Sequence, residues 1–572
     1  MKHRISFINK TILGYLFFAL PAYGAVIPGS AQPEQVSRAL VEEEAKPTAV
    51  PSVPTVKEEE KAESPLGPEA EKIKFQFNGF IFEDNVVYSK EQLLPIYKDK
   101  LHQTISVADL FKLVQGITNY YRNNGYIISR AILPPQKIQN GVVKIQIIEG
   151  YLDEVNVSGD PKGAKCILKA YGKQIAACRP LQLKRMEHYL LIANELPATQ
   201  VKAVLSPSKT KQGAANLTLD AKNSLVTGYA AYNNYGTRYI GPQQMTANLA
   251  LNSFIASGDS SQMTFTKTPK GSELTFIDAN YTLPIFNEGV RAFLGETRSR
   301  TRPLFVLADS KIDGINSNYY AILYFPIIRE RSRYLTLQTG FNYLDSYVTS
   351  FDEPFYTDHI RTLSAGGSYN FADRWYGSNL IYVDTRLGLP ILGYSSDSNP
   401  ATALTSRPGG HANYFKVYGQ ISRQQAVKGN FSLYGEARGQ YAFSALLAAE
   451  QFAFGGSIIG RGYDIAELIG DRGAAGTLEA RYDWAVEKTL LNRVQFYVFY
   501  DIGVIWNVLT APGTPKRLSG TSTGVGARMY MMKGVSGNFM WTQTLTKEVA
   551  AEELIGDGRR PRTFFSIVAE LD

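Results

Sequence analysis

The sequence predicts a transmembrane antiparallel β-barrel of sixteen strands, preceded by two small α+β units. Three observations predict it. From Leu225 to the end the chain keeps period two, with one apolar face and one face of amides and charges in each strand. After the N-terminus no stretch has the ~18 uninterrupted apolar residues of a spanning helix, so a membrane span here is built from strands. Between the two, residues 72–222 repeat one β-α-α-β-β order in consecutive segments of about 75 residues each.

Composition agrees. The 572 residues exclude one small domain, and 44% are hydrophobic although the mean hydropathy is −0.17. Tyr 35 and Phe 29 against Trp 4, with Gly 49, suit many short strands joined by turns. The formal charge of +8 is not gathered into a stripe, so no nucleic-acid partner is expected.

Residues 1–24 read as a secretory signal: Lys2, Arg4 and Lys10 are the basic start, Ile12–Leu20 the apolar core, and Ala22-Tyr23-Gly24 the small-residue end. The mature chain then leaves the cytoplasm, which puts Cys166 and Cys178 where disulfides persist. A Cys166–Cys178 disulfide is expected, with two buried thiols as the alternative. Residues 25–71 hold a weak helical pattern at Ser30–Ala45, carried by Val36, Ala39 and Leu40, then a Pro- and charge-rich linker from Lys46 to Pro68. That first part reads either as disorder or as a short helix docked elsewhere in the protein.

Residues 72–150 make the first unit. Ile73–Phe82 alternates as a strand, and Ser89–Tyr97 reads as a short helix. Ser106 caps a stronger one, whose Leu110, Leu113, Val114 and Ile117 share a face and which Gly125 ends. Tyr126–Leu133 and Val142–Glu149 follow as strands around a turn at Gln139-Asn140-Gly141. Residues 151–222 repeat the order: a strand at Leu152–Val157, helices near Cys166–Tyr171 and Leu181–Ala193, and strands at Thr199–Ser206 and Ala214–Ala221.

Here a resemblance becomes specific. Ile132-Leu133-Pro134-Pro135-Gln136, with Asn140–Ile145 and Ile148-Glu149-Gly150-Tyr151, resembles the first POTRA module of two-partner secretion transporters. Leu181–Leu205, with Glu195-Leu196-Pro197, resembles the second. The family implied is the TpsB transporters (ShlB/FhaC/HecB) of the Omp85 superfamily. An open sheet edge in such a module captures an extended client by strand addition, and the region of Pro134, Gln136, Glu149 and Gly150 is the expected client-binding surface. The alternative is that both modules are rigid spacers.

Residues 223–572 make the barrel. Phe431, Leu433, Ala437 and Tyr441 alternate with Ser432, Tyr434, Glu436, Arg438 and Gln440. Phe496, Val498, Tyr500 and Ile502 alternate with Gln495, Tyr497, Phe499 and Asp501. Strands are placed near Thr227, Met245, Met263, Leu274, Val290, Tyr319, Tyr334, Arg361, Leu380, Tyr414, Phe431, Leu478, Val494, Gly524, Gly537 and Thr563. Their even number permits closure. Since the modules precede strand one, turns after even strands lie on the module side, and Pro284 and Pro326 are expected in two of them.

The connection after the eleventh strand, Ala442–Gly476, is then a loop on the far side. It carries Gly460-Arg461-Gly462-Tyr463. An arginine sent into a closed space needs a carboxylate, because an unpaired buried charge costs several kcal/mol. Asp501, in Phe499-Tyr500-Asp501-Ile502-Gly503, is the candidate if the loop folds back into the barrel. Glu479, Arg481 and Asp483 on the next strand face the same lumen. Gly460–Tyr463 is similar to the loop-six motif of the family, usually Val-Arg-Gly-Tyr or Val-Arg-Gly-Phe, with Gly460 where valine is common. Phe499–Gly503 is similar to the matching wall motif, which implies an Arg461–Asp501 contact.

His3, His102, His188, His359 and His411 lack ligand spacing, and neither a nucleophile elbow nor a nucleotide-binding loop is present. No enzymatic activity, cofactor, metal or nucleotide is expected. The resemblance implies a pore in the bacterial outer membrane, modules in the periplasm, that passes an unfolded exoprotein outward, with membrane lipid as its other partner. It also implies that Ser30–Ala45 can plug the barrel at rest. The alternatives are an assembly factor for other barrels, against which two modules argue, and a passive porin, which leaves modules and loop motif unexplained.

Overall fold

The computed structural model describes residues 27–44, 67–211, 213–269, 271–391, 393–396, 404–510 and 515–571. The signal at 1–24 and most of the 46–68 linker lie outside the described residues. A single 3-10 turn at Gly29–Ala31 leads into the first α-helix, α1 (Pro33–Glu44).

The first unit contains β1 (Lys74–Phe77), β2 (Gly79–Glu83), α2 (Lys90–Leu93), β3 (Gln103–Ser106), α3 (Val107–Asn123), β4 (Arg130–Ile132) and β5 (Val142–Ile148). The strand expected over Ile73–Phe82 is two, because two sheets share it: β1 pairs with β3, and β2 runs parallel to β5. The strand expected over Tyr126–Leu133 shrinks to three residues paired with β5. Ser106 caps α3 through a reciprocal bond with Asp109, whose backbone N–H donates to Ser106 Oγ (3.1 Å). Leu110, Val114 and Ile117 face a core with Phe77, Phe80, Val143 and Ile145; Leu113 is only partly buried against it.

The second unit contains β6 (Tyr151–Asp160), α4 (Lys165–Ala176), α5 (Leu183–Asn194), β7 (Thr199–Pro207) and β8 (Ala214–Asn223), with sheet order β6-β8-β7. Leu168, Tyr171 and Ile175 of α4 and Leu190 of α5 pack over Leu217 and Leu219 of β8.

The expected Cys166–Cys178 disulfide is corrected: both cysteines are free. Cys166 is the second residue of α4 and Cys178 lies two residues past its end. At 1.5 Å per residue the helix holds them roughly 18 Å apart, far beyond the ~7 Å that a disulfide can bridge. The alternative of two buried thiols fails as well, since Cys166 is exposed and Cys178 half-buried.

The rest is one closed sheet. Its strands are β9 (Val226–Asn233), β10 (Gln244–Asn252), β11 (Ser260–Lys267), β12 (Leu274–Ile285), β13 (Val290–Thr301), β14 (Asp313–Glu330), β15 (Arg333–Ser350), β16 (Glu353–Ala372), β17 (Gly377–Gly388), β18 (Phe415–Lys428) and β19 (Phe431–Ala442). A short hairpin, β20 (Phe452–Phe454) and β21 (Leu468–Gly470), interrupts the series without joining the wall. The wall resumes with β22 (Arg472–Lys488), β23 (Leu491–Trp506), β24 (Arg517–Met531), β25 (Val535–Thr544) and β26 (Arg562–Leu571). Each strand pairs antiparallel with the next, and β26 pairs back onto β9, so sixteen strands close with no edge left. All the placed strand positions fall in these strands except Tyr414, one residue before β18.

Alternation sorts the faces. On β23, Phe496, Val498, Tyr500 and Ile502 are exposed on the outside, while Tyr497, Phe499 and Asp501 are buried inside. The two prolines are corrected: Pro284 pairs with Arg291 near the end of β12, and Pro326 precedes a bulge in β14. A strand end and a bulge both tolerate the missing N–H.

The second unit is fastened to the near rim of the barrel. Glu195, just past α5, takes Arg291 (3.1 Å) and Arg329 (2.5 Å), and Glu187 takes Arg331 (3.0 Å). Ser257, in the turn after β10, donates to the Gly163 carbonyl (2.7 Å).

Candidate functional site

The chain leaves β19 at the far rim and turns back into the lumen as the β20–β21 hairpin. Phe452 and Phe454 of β20 pack with Leu468, Tyr463 and Ile505 against the inner wall. The wall makes room for them: a Cβ added at Gly503 would stand 2.2 Å from the Phe454 ring. That explains the glycine two residues after Asp501. Gly460 has φ +81°, and a Cβ there would meet Gly455 at 2.9 Å, so this loop takes a conformation that the valine common in the motif would resist.

Arg461 is then enclosed, 5% exposed, against a fully buried Asp501. Its Nε donates to Asp501 Oδ2 (3.0 Å) and its Nη2 to Asp501 Oδ1 (2.8 Å), a bidentate fork. Nη1 donates to Glu479 Oε2 (2.7 Å) and Nη2 also to Thr477 Oγ1 (2.8 Å). The guanidinium lies 3.6 Å over the Phe499 ring. Asp501 Oδ2 further accepts the backbone N–H groups of Gly460 (3.0 Å) and Arg461 (2.9 Å). Tyr463 donates to the Thr521 carbonyl (3.1 Å), and Gly462 N–H reaches Ser522 Oγ at 3.4 Å.

The lumen network extends from there. Glu479 also takes Arg481 and Arg528, both at 2.7 Å. Asp483 does not touch Arg461. It accepts from Gln495 (3.1 Å), which in turn accepts from Arg528 (2.7 Å), so it joins the network two bonds away. Thr477 and Arg528 were missed by the sequence reading, although alternation on β22 and β24 puts both inside. The pair of Arg562 with Asp464 (2.7 Å) ties the same loop to β26; no local pattern signals it.

Helix α1 lies in the same lumen. Val36 is fully buried, and the polar Glu34, Gln35 and Ser37 are nearly so. Glu34 accepts from Tyr356 and Ser346, both at 3.0 Å. Ser299 donates to the Pro33 carbonyl (2.9 Å), Arg38 to the Ala449 carbonyl (3.3 Å), and Glu42 meets Arg438 (3.2 Å). The helix therefore touches β13, β15, β16, β19 and the in-folded loop.

The four module residues are held by internal bonds. The Gln136 amide bridges both backbone groups of Lys144 (2.7 and 2.8 Å), capping the edge of β5 beyond β4, and also reaches the carbonyl of half-buried Pro134 at 3.3 Å. Glu149 Oε1 accepts Val86 N–H (2.8 Å), Val87 N–H (2.7 Å) and Tyr121 OH (3.1 Å). Gly150 N–H donates to Ser129 Oγ (3.1 Å), and its carbonyl accepts from Leu181, joining the two units. The edge strands of the two three-stranded sheets are β2 and β4 in the first unit, where Gln136 caps the side beyond β4, and β6 and β7 in the second.

Comparison with known proteins follows the same outline. A family described as haemolysin secretion/activation protein ShlB/FhaC/HecB matches residues 214–527, and a POTRA domain of ShlB type matches residues 75–150. The heme/hemopexin transporter protein HuxB of Haemophilus influenzae is 24% identical over 72% of this chain and 73% of its own. The outer membrane transporter CdiB of Dickeya dadantii is 24% identical over 74% and 75%. Among solved structures, CdiB from Escherichia coli superposes with a TM-score of 0.73 at 18% identity, covering 96% of this chain and all of that one. BamA from Haemophilus ducreyi, lacking POTRA domains 1–3, gives 0.51 at 13% identity over 87% of this chain.

Proposed function

The chain belongs to the haemolysin secretion/activation family ShlB/FhaC/HecB, outer-membrane transporters of two-partner secretion, and from that premise we propose how this barrel exports its partner exoprotein. The two α+β units stand in the periplasm as POTRA modules and receive the client unfolded. An extended segment adds to an exposed sheet edge, β2 or β7, through main-chain hydrogen bonds. Residues Pro134, Gln136, Glu149 and Gly150 shape that receiving surface by fixing the module's fold. The client then passes through the lumen as an extended chain, since a folded domain is too wide for sixteen strands.

The observation that carries this reading is the Arg461–Asp501 clasp inside a closed barrel whose near rim holds the second module. It seats the loop against β22 and β23, and in this reading Glu479, Arg481 and Asp483 line the passage. Helix α1 fills the resting lumen and withdraws for transport. Folding of the client outside supplies the direction, and no catalytic step is required of the chain. In cells lacking this protein, one secreted protein should vanish from the medium while other membrane barrels keep their amounts. General loss of barrels would instead favour an assembly role.

A further inference from the structure

We propose that the outer face of the β19–β22–β23 seam binds one phosphorylated lipid, its phosphate against Arg472, Lys516 and Arg517 and an acyl chain in the hollow beneath. The proposal rests on the orientation given above, which puts the loop end of these strands in the outer leaflet.

Arg472, Trp506 and Arg517 are successive cross-strand partners on β22, β23 and β24. Their neighbours Gly473 and Ile505 turn inward, Gly473 under the Phe452 ring and Ile505 fully buried. The three therefore face outward. Arg472 donates to the Ala442 carbonyl (2.9 Å) and lies 4.1 Å over the Tyr441 ring. Tyr441 and Trp506 are exposed aromatics of the kind that marks the membrane–water boundary. Tyr441, Arg472, Trp506 and Lys516 bound a hollow of about 520 Å³, and Arg517 stands beside it as the cross-strand partner of Trp506.

The cations lack an acidic partner. Asp471, next in sequence to Arg472, is fully buried inside and taken by Arg407. Among the described residues no ion pair engages Arg472, Lys516 or Arg517. Positive charge at a lipid-facing boundary without a carboxylate is costly unless lipid supplies the anion.

Four residues farther along β22, roughly 13 Å at strand rise, a second hollow of about 570 Å³ opens on the same face. Gly435, Ala437 and Gly476 floor it, and Ile421, Leu478 and Ile502 wall it. Inside the barrel, protein atoms occupy the space a side chain would need, as at Gly503. Here the crowding is less: a Cβ at Gly476 would sit close to the Glu436 carbonyl at 3.3 Å but would next meet only Ile502 at 4.0 Å. An empty apolar hollow forfeits dispersion contacts. In hydrocarbon an acyl chain fills it, and the cationic mouth selects an amphiphile carrying phosphate. The bound chain would lie directly behind the wall that bears Thr477, Glu479 and Asp501.

The test uses the full chain, purified in neutral detergent and mixed with diphosphoryl lipid A, with retained lipid counted by native mass spectrometry. One lipid should stay on each barrel. The R472Q/K516Q double variant should weaken retention roughly tenfold or more, and Gly476→Leu, which fills the hollow, should weaken it while the barrel keeps its heat-modifiable migration. Equal retention by the double variant, or displacement by millimolar inorganic phosphate, would overturn the proposal. Because no client enters this measurement, its failure leaves the transport reading standing.

Discussion

Arg461 makes four side-chain hydrogen bonds and lies on an aromatic ring. Removing one partner of such a buried pair costs about 3–5 kcal/mol. In Arg461→Ala the loss falls on the loop: Glu479 keeps Arg481 and Arg528, and Asp501 keeps two backbone donors. The expected outcome is a sharp fall in secreted client with normal barrel amounts in the membrane, read by immunoblot of medium and envelope. Wild-type export would sink the loop's role. Gly503→Val should act on the same contact from the wall side by displacing Phe454. We expect faster protease cleavage within 443–471 on isolated envelopes, against an unchanged digest for the wild type. The Arg461–Asp501 pair was legible because alternation on β23 aims Asp501 inward and an enclosed guanidinium demands a carboxylate. Thr477 and Arg528 were harder to assign, since which of many lumen groups meets the loop depends on where the loop comes down.

Helix α1 shows why an element can be nearly silent in sequence. Its buried face is mixed: Glu34 takes Ser346 and Tyr356 and Gln35 donates to the Ala448 carbonyl, while Val36 and Leu40 pack with Phe276, Ile312 and Val348. A search for one apolar stripe finds little there. Deleting residues 27–68 should raise the open current of the reconstituted barrel severalfold, and an unchanged current in planar bilayers would reject plugging. The cysteines make the converse point. Their compartment permitted a disulfide, yet a single helix between them forbids one. No change in mobility is expected when the chain is run with and without reductant.

At the scale of the molecule, the second module's seat on the barrel combines ion pairs, Glu195 and Glu187 against three rim arginines, with Ile192 set against Gly289 and Ile167 and Leu196 against Gly258. His188 of α5 sits within it. Burial, then the Arg329 and Arg185 charges, push its imidazole below the ordinary 6.5, while Glu195 works the other way. The Arg329 charge comes from the barrel, so docking disfavours the imidazolium and the undocked state binds more protons. Docking is fully favourable above pH 6.5 and weakens as pH falls through 6.5 toward the docked value. A spin-label distance between α5 and β14 should broaden at pH 5.5 relative to 7.5, and His188→Gln should remove that pH dependence. Identical distributions at both pH values in the wild type would refute it.

The sequence by itself determined the barrel, its strand count, the two mixed units and the inward aspartate, because each is written in residue periodicity and closure follows from the cost of bare backbone in hydrocarbon. Only the tertiary structure decided that β1 and β2 part at Asn78, that the cysteines stay apart, that α1 enters the lumen, and which arginines join Glu479. Those outcomes depend on contacts between segments tens to hundreds of residues apart, where local pattern carries no information about the partner.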